Sequence, residues 1–308
     1  MQMLERIVGI IVPVFVIIAL GYGYARLRGK TVQADMVAVN RVSMDVLCPL
    51  LVFTALASRD FDLAHNSLLI VAGVGISLGS GLLAWPVARL FGYDVRSFVP
   101  PMMYNNCGNM GLPLAVLAFG SASLAAAVAL FMASNLVYFS LGIALIRSGR
   151  RSDDDDATHA VSPWQLLRSP MMIAMLIGVL FAALHLHLPA ALFQGLKLLG
   201  EACIPLMLFA LGVRMLEVSL KSWHIGMVGA IVCPVAGLLV ARLLELALPL
   251  TALQRGQMYL FAALPPAVLC FMVAERYRQE PDKVAAIVLL GNLAAVGFVP
   301  LGLWLGLR

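Results

Sequence analysis

The residues best suited to chemistry lie in apolar surroundings. One run, FVPPMMYNNCGNMGLPLAVLAFG from Phe98 to Gly120, carries Asn105, Asn106, Gly108, Asn109, Gly111 and Pro113 where a lipid-compatible helix would carry aliphatic side chains. Pro113 cannot donate to the carbonyl of residue 109 and clashes with it. The two glycines loosen the same turn. Freed backbone at membrane depth is tolerated only when protein shields it or it lines a wet cavity. A later run has the matching interruption at Leu264-Pro265-Pro266. Helix ends exposed at such breaks offer free N–H groups and partial positive charge. With Asn carboxamides beside them and no Asp or Glu in the core of either run, they suit an anion such as a carboxylate. The same residues also fit a pair of structural proline kinks whose Asn side chains bond neighbouring helices.

A second set is charged. Arg41 and Asp45 stand four residues apart, one turn before Pro49, and Lys197 and Glu201 repeat the pattern before Pro205. Each pair shares one helix face. Ionisable groups inside apolar segments are candidates for function: Asp45 or Glu201 would exchange a proton or another cation during a cycle. Two internally neutralised salt bridges pinning helices explain the pattern equally well, because each cation holds its carboxylate ionised. Asn135 and Asn292 are polar residues deep in later apolar segments; they either line a cavity beside the two interrupted runs or bond helices together.

Other candidates carry less. His185 and His187 precede Pro189; two residues apart on a helix they point to nearly opposite faces, so a shared metal is not expected. The five cysteines, Cys48, Cys107, Cys203, Cys233 and Cys270, fall inside apolar segments with neither redox nor metal spacing and read as buried free thiols. The chain contains no P-loop, H-E-x-x-H or G-x-S-x-G. Catalytic residues, a cofactor and an enzyme activity are therefore not expected.

The elements that position these residues follow from composition. Of 308 residues, 62% are apolar and 12% charged, with a mean hydropathy of +0.95. Soluble domains carry roughly 45–50% apolar and about 25% charged residues. Disorder, a disulfide scaffold and nucleic-acid binding are excluded; the net charge of +5 belongs to helix ends. The expected fold is an all-α polytopic membrane protein. Apolar segments at 7–25, 36–57, 67–90, 98–120, 123–146, 170–188, 192–213, 223–248, 257–275 and 284–306 predict ten spans, each near the roughly 20 residues a bilayer needs. Residues 148–168, with the acidic run Asp153 to Asp156, form a linker between two halves, 1–147 and 169–308. The halves correspond. Arg41, Asp45 and Pro49 match Lys197, Glu201 and Pro205 at an offset of 156, VARL recurs from Val87 and Val240, and PLAVLAF from Pro113 matches PPAVLCF from Pro265. Five spans per half make the repeats inverted, a pattern of secondary transporters. Fourteen of the 21 Lys and Arg residues fall on one side, which is then cytoplasmic. Both termini are expected on the non-cytoplasmic side of the plasma (inner) membrane and the linker inside.

The stretch ALPPAVLCFMVAERYRQEPD, from Ala263 to Asp282, resembles the auxin efflux carrier family, which includes plant PIN-type carriers and bacterial malonate-transporter-like proteins. Asn106 followed by Gly111-Leu112-Pro113-Leu114 is similar to that family's fourth-helix signature, Asn40-Arg41 with Pro49-Leu50-Leu51 to its second helix, and Cys203 to Gly212 to its seventh. The resemblance implies two inverted five-helix repeats related in fold to bile acid sodium symporters. The first, second, sixth and seventh segments would form a scaffold that commonly dimerises. The third to fifth and eighth to tenth would form a transport domain, with the fourth and ninth crossing at their breaks. Asn106, Pro113 and Pro265 would sit at the crossover, beside the substrate carboxylate. Pro266 stands where plant members usually carry Gln, and Cys107 replaces a hydroxyl residue. A small mono- or dicarboxylate is the expected substrate, rather than auxin.

The function expected is secondary active transport of a small organic anion by an elevator-type mechanism, driven by a proton or by sodium. Its partners are the anion, the lipid bilayer and a second copy in a homodimer. A sodium-coupled symporter of the bile acid type and a ligand sensor that does not transport are the alternatives.

Overall fold

The computed structural model describes residues 2–29, 31–58, 63–148, 170–214 and 222–308. The acidic run and all but the first residue of the 148–168 linker lie outside the described residues. Those described form helices and no named strand. α1 spans Gln2–Arg28. α2 runs from Thr31–Val42 through a π-helical turn, Ser43–Leu47, into Cys48–Leu56. α3 is Leu63–Leu90 and α4 is Val95–Met103. α5 opens with a π-helical turn, Cys107–Gly111, and continues as Leu112–Phe119. α6 is Leu124–Val137, a π-helical turn Tyr138–Gly142, and Ile143–Arg147. α7 (Pro170–Ala183), α8 (Ala190–Glu201), α9 (Cys203–Arg214) and α10 (Trp223–Ala247) follow. α11 (Ala252–Ala262), α12 (Val268–Arg276) and α13 (Pro281–Gly306) complete the chain.

Among the described residues, seven stretches are long and apolar enough to cross a membrane. Ten were expected, and the three that differ each have a physical reason. The fourth segment divides into α4 and α5 and the ninth into α11 and α12, because Asn105-Asn106 and Pro265-Pro266 interrupt them. The sixth is the short α7, which ends at Ala183; His185 then takes a left-handed conformation at φ 52°. His185 and His187 are thus in a turn and not on a helix, and both are exposed.

The helices make their most extensive contacts in two groups. α1 packs on α9, and α2 on α7 and α8. In the other group α10 packs on α13 and α3, α3 on α6 and α4, and α13 on α11 and α12. Small residues allow the close approaches. Gly21 on α1 faces the main chain of Phe209 on α9, and Gly212 on α9 faces that of Ile18 on α1. A β-carbon at either would collide with a carbonyl. Between apolar helices, where lipid competes equally for greasy surface, such backbone proximity supplies the packing.

α4 begins where Asp94 caps it, accepting from the N–H of Arg96 at 2.9 Å. The same carboxylate pairs with the Arg96 guanidinium and accepts from Gln279 at 2.9 Å. Gln279 also donates to Ser97, so the cap ties the turn before α4 to the turn before α13. The Arg96 hydrogen bond holds the Asp94 carboxyl below its usual range. A carboxyl lowered on folding stabilises fully above its ordinary value of 3.8 and loses that contribution as pH falls through the lowered one. Asp94→Ala should therefore cost about 1 kcal/mol near neutral pH, as N-cap removals do. In detergent-based unfolding, the gap to wild type should shrink below pH 4. An equal gap at all pH values would refute the assignment.

Candidate functional site: the crossing of two broken helices

The two breaks meet. Between α4 and α5, Tyr104 turns extended, at φ −132° and ψ 97°. Between α11 and α12, Pro265 and Pro266 remove two N–H groups and Ala267 is extended. Asn105 and Pro266 face each other as an isolated antiparallel bridge. The Asn106 N–H donates to the Pro265 carbonyl at 2.6 Å, and the Ala267 N–H donates to the Tyr104 carbonyl at 3.0 Å. A buried main-chain group left without a partner costs about as much as a lost hydrogen bond. Here each break satisfies the other. Gly291 on α13 makes room, because a β-carbon there would come within 2.6 Å of the Pro266 ring.

Side chains extend the pairing. Asn105 donates to the Phe261 carbonyl at 2.6 Å. Asn106 donates to Asn292 Oδ1 at 3.0 Å, and Asn292 donates to the Val288 carbonyl one turn back on α13, at 2.7 Å. Asn135 mirrors it on α6: it donates to the Phe131 carbonyl one turn back, at 2.7 Å, and its Oδ1 accepts the Tyr104 hydroxyl at 3.0 Å. Both deep Asn residues thus hold the crossover from either side. Tyr104 was not singled out by sequence; its ring stacks on Tyr138 with centroids 4.5 Å apart.

The other expected residues divide between wall and opening. Pro113 is buried where α5 passes from its π-helical opening turn into the α-helix Leu112–Phe119, and Gly111 lies against Leu264, which a β-carbon would approach to 2.7 Å. Asn105, Asn106, Pro265 and Pro266 are buried, whereas Gly108 and Asn109 are half-exposed. Those two stand in the opening turn of α5, where the N–H groups of Cys107, Met110 and Gly111 find carbonyls of Asn105 and Asn106 and those of Gly108 and Asn109, in the first turn, lie ahead of any carbonyl four residues back in the helix. Asn105 Oδ1 is buried without a hydrogen-bond partner among the described residues, so it can accept from a water or a ligand hydroxyl.

A cleft of about 490 Å³ lies between the two helix groups, and sequence reading did not anticipate it. Leu51, Thr54 and Ser58 of α2 and its end line one wall; Gln194, Lys197 and Glu201 of α8 line another; Ser121, Leu124 and Ala125 close it, with His187 beside them. α6 connects cleft and crossover: Leu124 lines the cleft, and Phe131, two turns on, lies beside Gly108. Two turns are about 11 Å. The charged pairs behave differently. Lys197 and Glu201 approach to 3.8 Å in the cleft. Arg41 and Asp45 are exposed outside it and form no such ion pair. Asp45 sits in the π-helical turn of α2, a distortion no sequence motif announced.

Apolar spans, two interrupted helices joined at their breaks and a cleft of mixed polar and apolar lining beside them fit a multi-pass membrane transporter. A model of the membrane transport protein family matches residues 6–304, and the chain belongs to that family, the auxin efflux carrier-like one its motifs resemble. It is similar to a protein of Rhizobium meliloti named "Putative malonate transporter", 25% identical over 311 residues, covering 96% of this chain and 94% of that one. It is also similar to an "Uncharacterized transporter" of Methanothermobacter thermautotrophicus, 25% identical over 302 residues, covering 94% and 95%.

The Asn106–Asn292 bond is measurable. A double-mutant cycle with Asn106→Ala and Asn292→Ala, read by unfolding in detergent, should give a coupling of about 0.6–1.7 kcal/mol, the range for such bonds between membrane helices. Strict additivity would show that the two side chains do not interact.

Proposed function

We propose that the chain is a secondary active carrier that moves a small carboxylate by alternating access. The observation that carries this reading is the crossover itself, beside which the half-exposed Gly108 lies between Phe131 of one helix group and Met207 of the other. Unwound helices meeting at a repeat interface are where secondary transporters place substrate. The name of the Rhizobium relative suggests malonate as the first substrate to try.

The reading extends to architecture. The group α1, α2, α7, α8 and α9 corresponds to the scaffold, and the group α3 to α6 with α10 to α13 to the transport domain, in two inverted five-span repeats. The pattern of helix contacts supports that division. The movement is an elevator-like shift of one group against the other along the cleft. Both termini lie on the non-cytoplasmic side of the plasma (inner) membrane, where the cleft opens beside Ser58, Ser121 and His187.

Coupling falls to the cleft pair. Lys197 exchanges Glu201 for the incoming carboxylate, and Glu201, released from its cation, takes up a proton. Asp45, outside the cleft, is the weaker candidate. Glu201→Gln should leave malonate exchange intact and make net uptake into proteoliposomes independent of a pH gradient. Uptake by that variant that still follows the gradient would remove Glu201 from the mechanism.

Counterflow tests the whole reading. Proteoliposomes loaded with unlabelled malonate should accumulate labelled malonate, and Asn106→Ala should slow this by about tenfold, the factor for roughly 1.4 kcal/mol. No counterflow with malonate or any other small carboxylate would favour a ligand sensor over a carrier.

A further inference from the structure

Two of the five cysteines meet, although 155 residues separate them. Cys48 follows the π-helical turn of α2, and Cys203 opens α9 just past the break that ends α8 at Glu201. Their positions match within one residue under the 156-residue offset relating the two halves, so corresponding helices cross where each is irregular. Gly200 permits the approach: a β-carbon there would lie 2.7 Å from the Leu51 nitrogen. The two sulfurs are 2.7 Å apart, closer than two unbonded thiols pack at ordinary van der Waals distance. Met207 Sδ is 3.5 Å from Cys48 Sγ and seals the pair with a third apolar sulfur. Both cysteines are buried, at 2% and 0% exposure. Cys233 and Cys270 instead face main-chain carbonyls of Leu264 and Tyr104.

We propose that Cys48 and Cys203 are an oxidisable dithiol whose disulfide ties α2 to α9. Each thiol gives up one proton and one electron, the S–S bond forms, and a lipid-soluble two-electron acceptor of the quinone class takes up both protons and both electrons to leave as the quinol. Aqueous oxidants do not reach sulfurs in this apolar crossing, so the acceptor comes from the lipid phase. Local opening at the π-helical turn Ser43–Leu47 and at the break beside Ala202 gives access. The bond would tie one wall of the cleft to the break behind the other, since Leu51 and Thr54 follow Cys48 on α2 and Glu201, the last residue of α8, stands two residues before Cys203. Its formation does not depend on what the cleft binds.

The test uses the full chain in lipid nanodiscs and diamide, a membrane-permeant azo compound that accepts two electrons and two protons to become a hydrazine. After denaturation, a maleimide mass tag should label five thiols in untreated protein and three in treated protein, with dithiothreitol restoring five. Peptide mapping of treated wild type should recover residues 48 and 203 in one disulfide-linked species. Cys48→Ser and Cys203→Ser should each keep four labelled thiols under treatment, whereas Cys107→Ser should fall from four to two. Five labelled thiols in treated wild type, or a linked species joining any other pair, would overturn the proposal. Because mapping reads wild type directly, a variant that folds poorly does not affect the outcome.

Discussion

The fold turns on two main-chain hydrogen bonds, Asn106 N–H to the Pro265 carbonyl and Ala267 N–H to the Tyr104 carbonyl. A helix that breaks inside an apolar layer strands polar groups that neither lipid nor its own turn can satisfy. Either break alone would be untenable. Placed against each other they form a two-residue piece of sheet inside a helical protein, and the penalty disappears. The neighbours follow from that demand. α13 carries Gly291 so that Pro266 fits, and Asn292 so that Asn106 has an acceptor. α6 carries Asn135 to receive the Tyr104 hydroxyl.

A crossover satisfied in this way is rigid where it is buried and open where it is not. Asn105, Asn106, Pro265 and Pro266 are enclosed and supply shape; Gly108 and Asn109 are half-exposed, Gly108 between Phe131 of one helix group and Met207 of the other. The absence of Asp and Glu from this opening matters more than the presence of any one donor. In the carrier we propose, N–H groups and carboxamides would attract an anion without a fixed counter-charge that holds it too tightly to release. The charge that lines the cleft is Lys197 with Glu201, and Lys197 is already shared with that carboxylate.

Much of this was legible in the sequence, for identifiable reasons. Pro265 and Pro266 act through local backbone chemistry, so the second break falls where the sequence put it; the first falls at Tyr104 to Asn106, upstream of the Gly108, Gly111 and Pro113 turn that the sequence singled out, and those three residues lie within helix. Asn135 and Asn292 stood out because polar groups in apolar runs are expensive. Features that depend on packing between distant segments were not legible. Tyr104 looks like any interfacial tyrosine until Asn135 lies opposite it. The π-helical turns in α2, α5 and α6 arise from how helices fit and have no residue signature. His185 and His187 were placed on a helix because the apolar run continued past Ala183, yet the chain had already turned. Cys48 and Cys203 lack any redox spacing along the chain; their spacing lies in the repeat.

That last point reaches beyond the cysteines. The correspondence between halves puts the irregularity of α2 at Asp45 in register with the α8–α9 break at Glu201. Yet the two sites differ chemically: one carboxylate is paired in a cleft, and the other is exposed beside an unpaired arginine. A strictly symmetric molecule would present equal clefts at both ends of the crossover. In the carrier we propose, divergence at two matched positions would let one cleft stand open while the other is closed. The charged pairs differ accordingly: Lys197 and Glu201 of α8 line the cleft, and Arg41 and Asp45 in the first turns of α2 lie outside it.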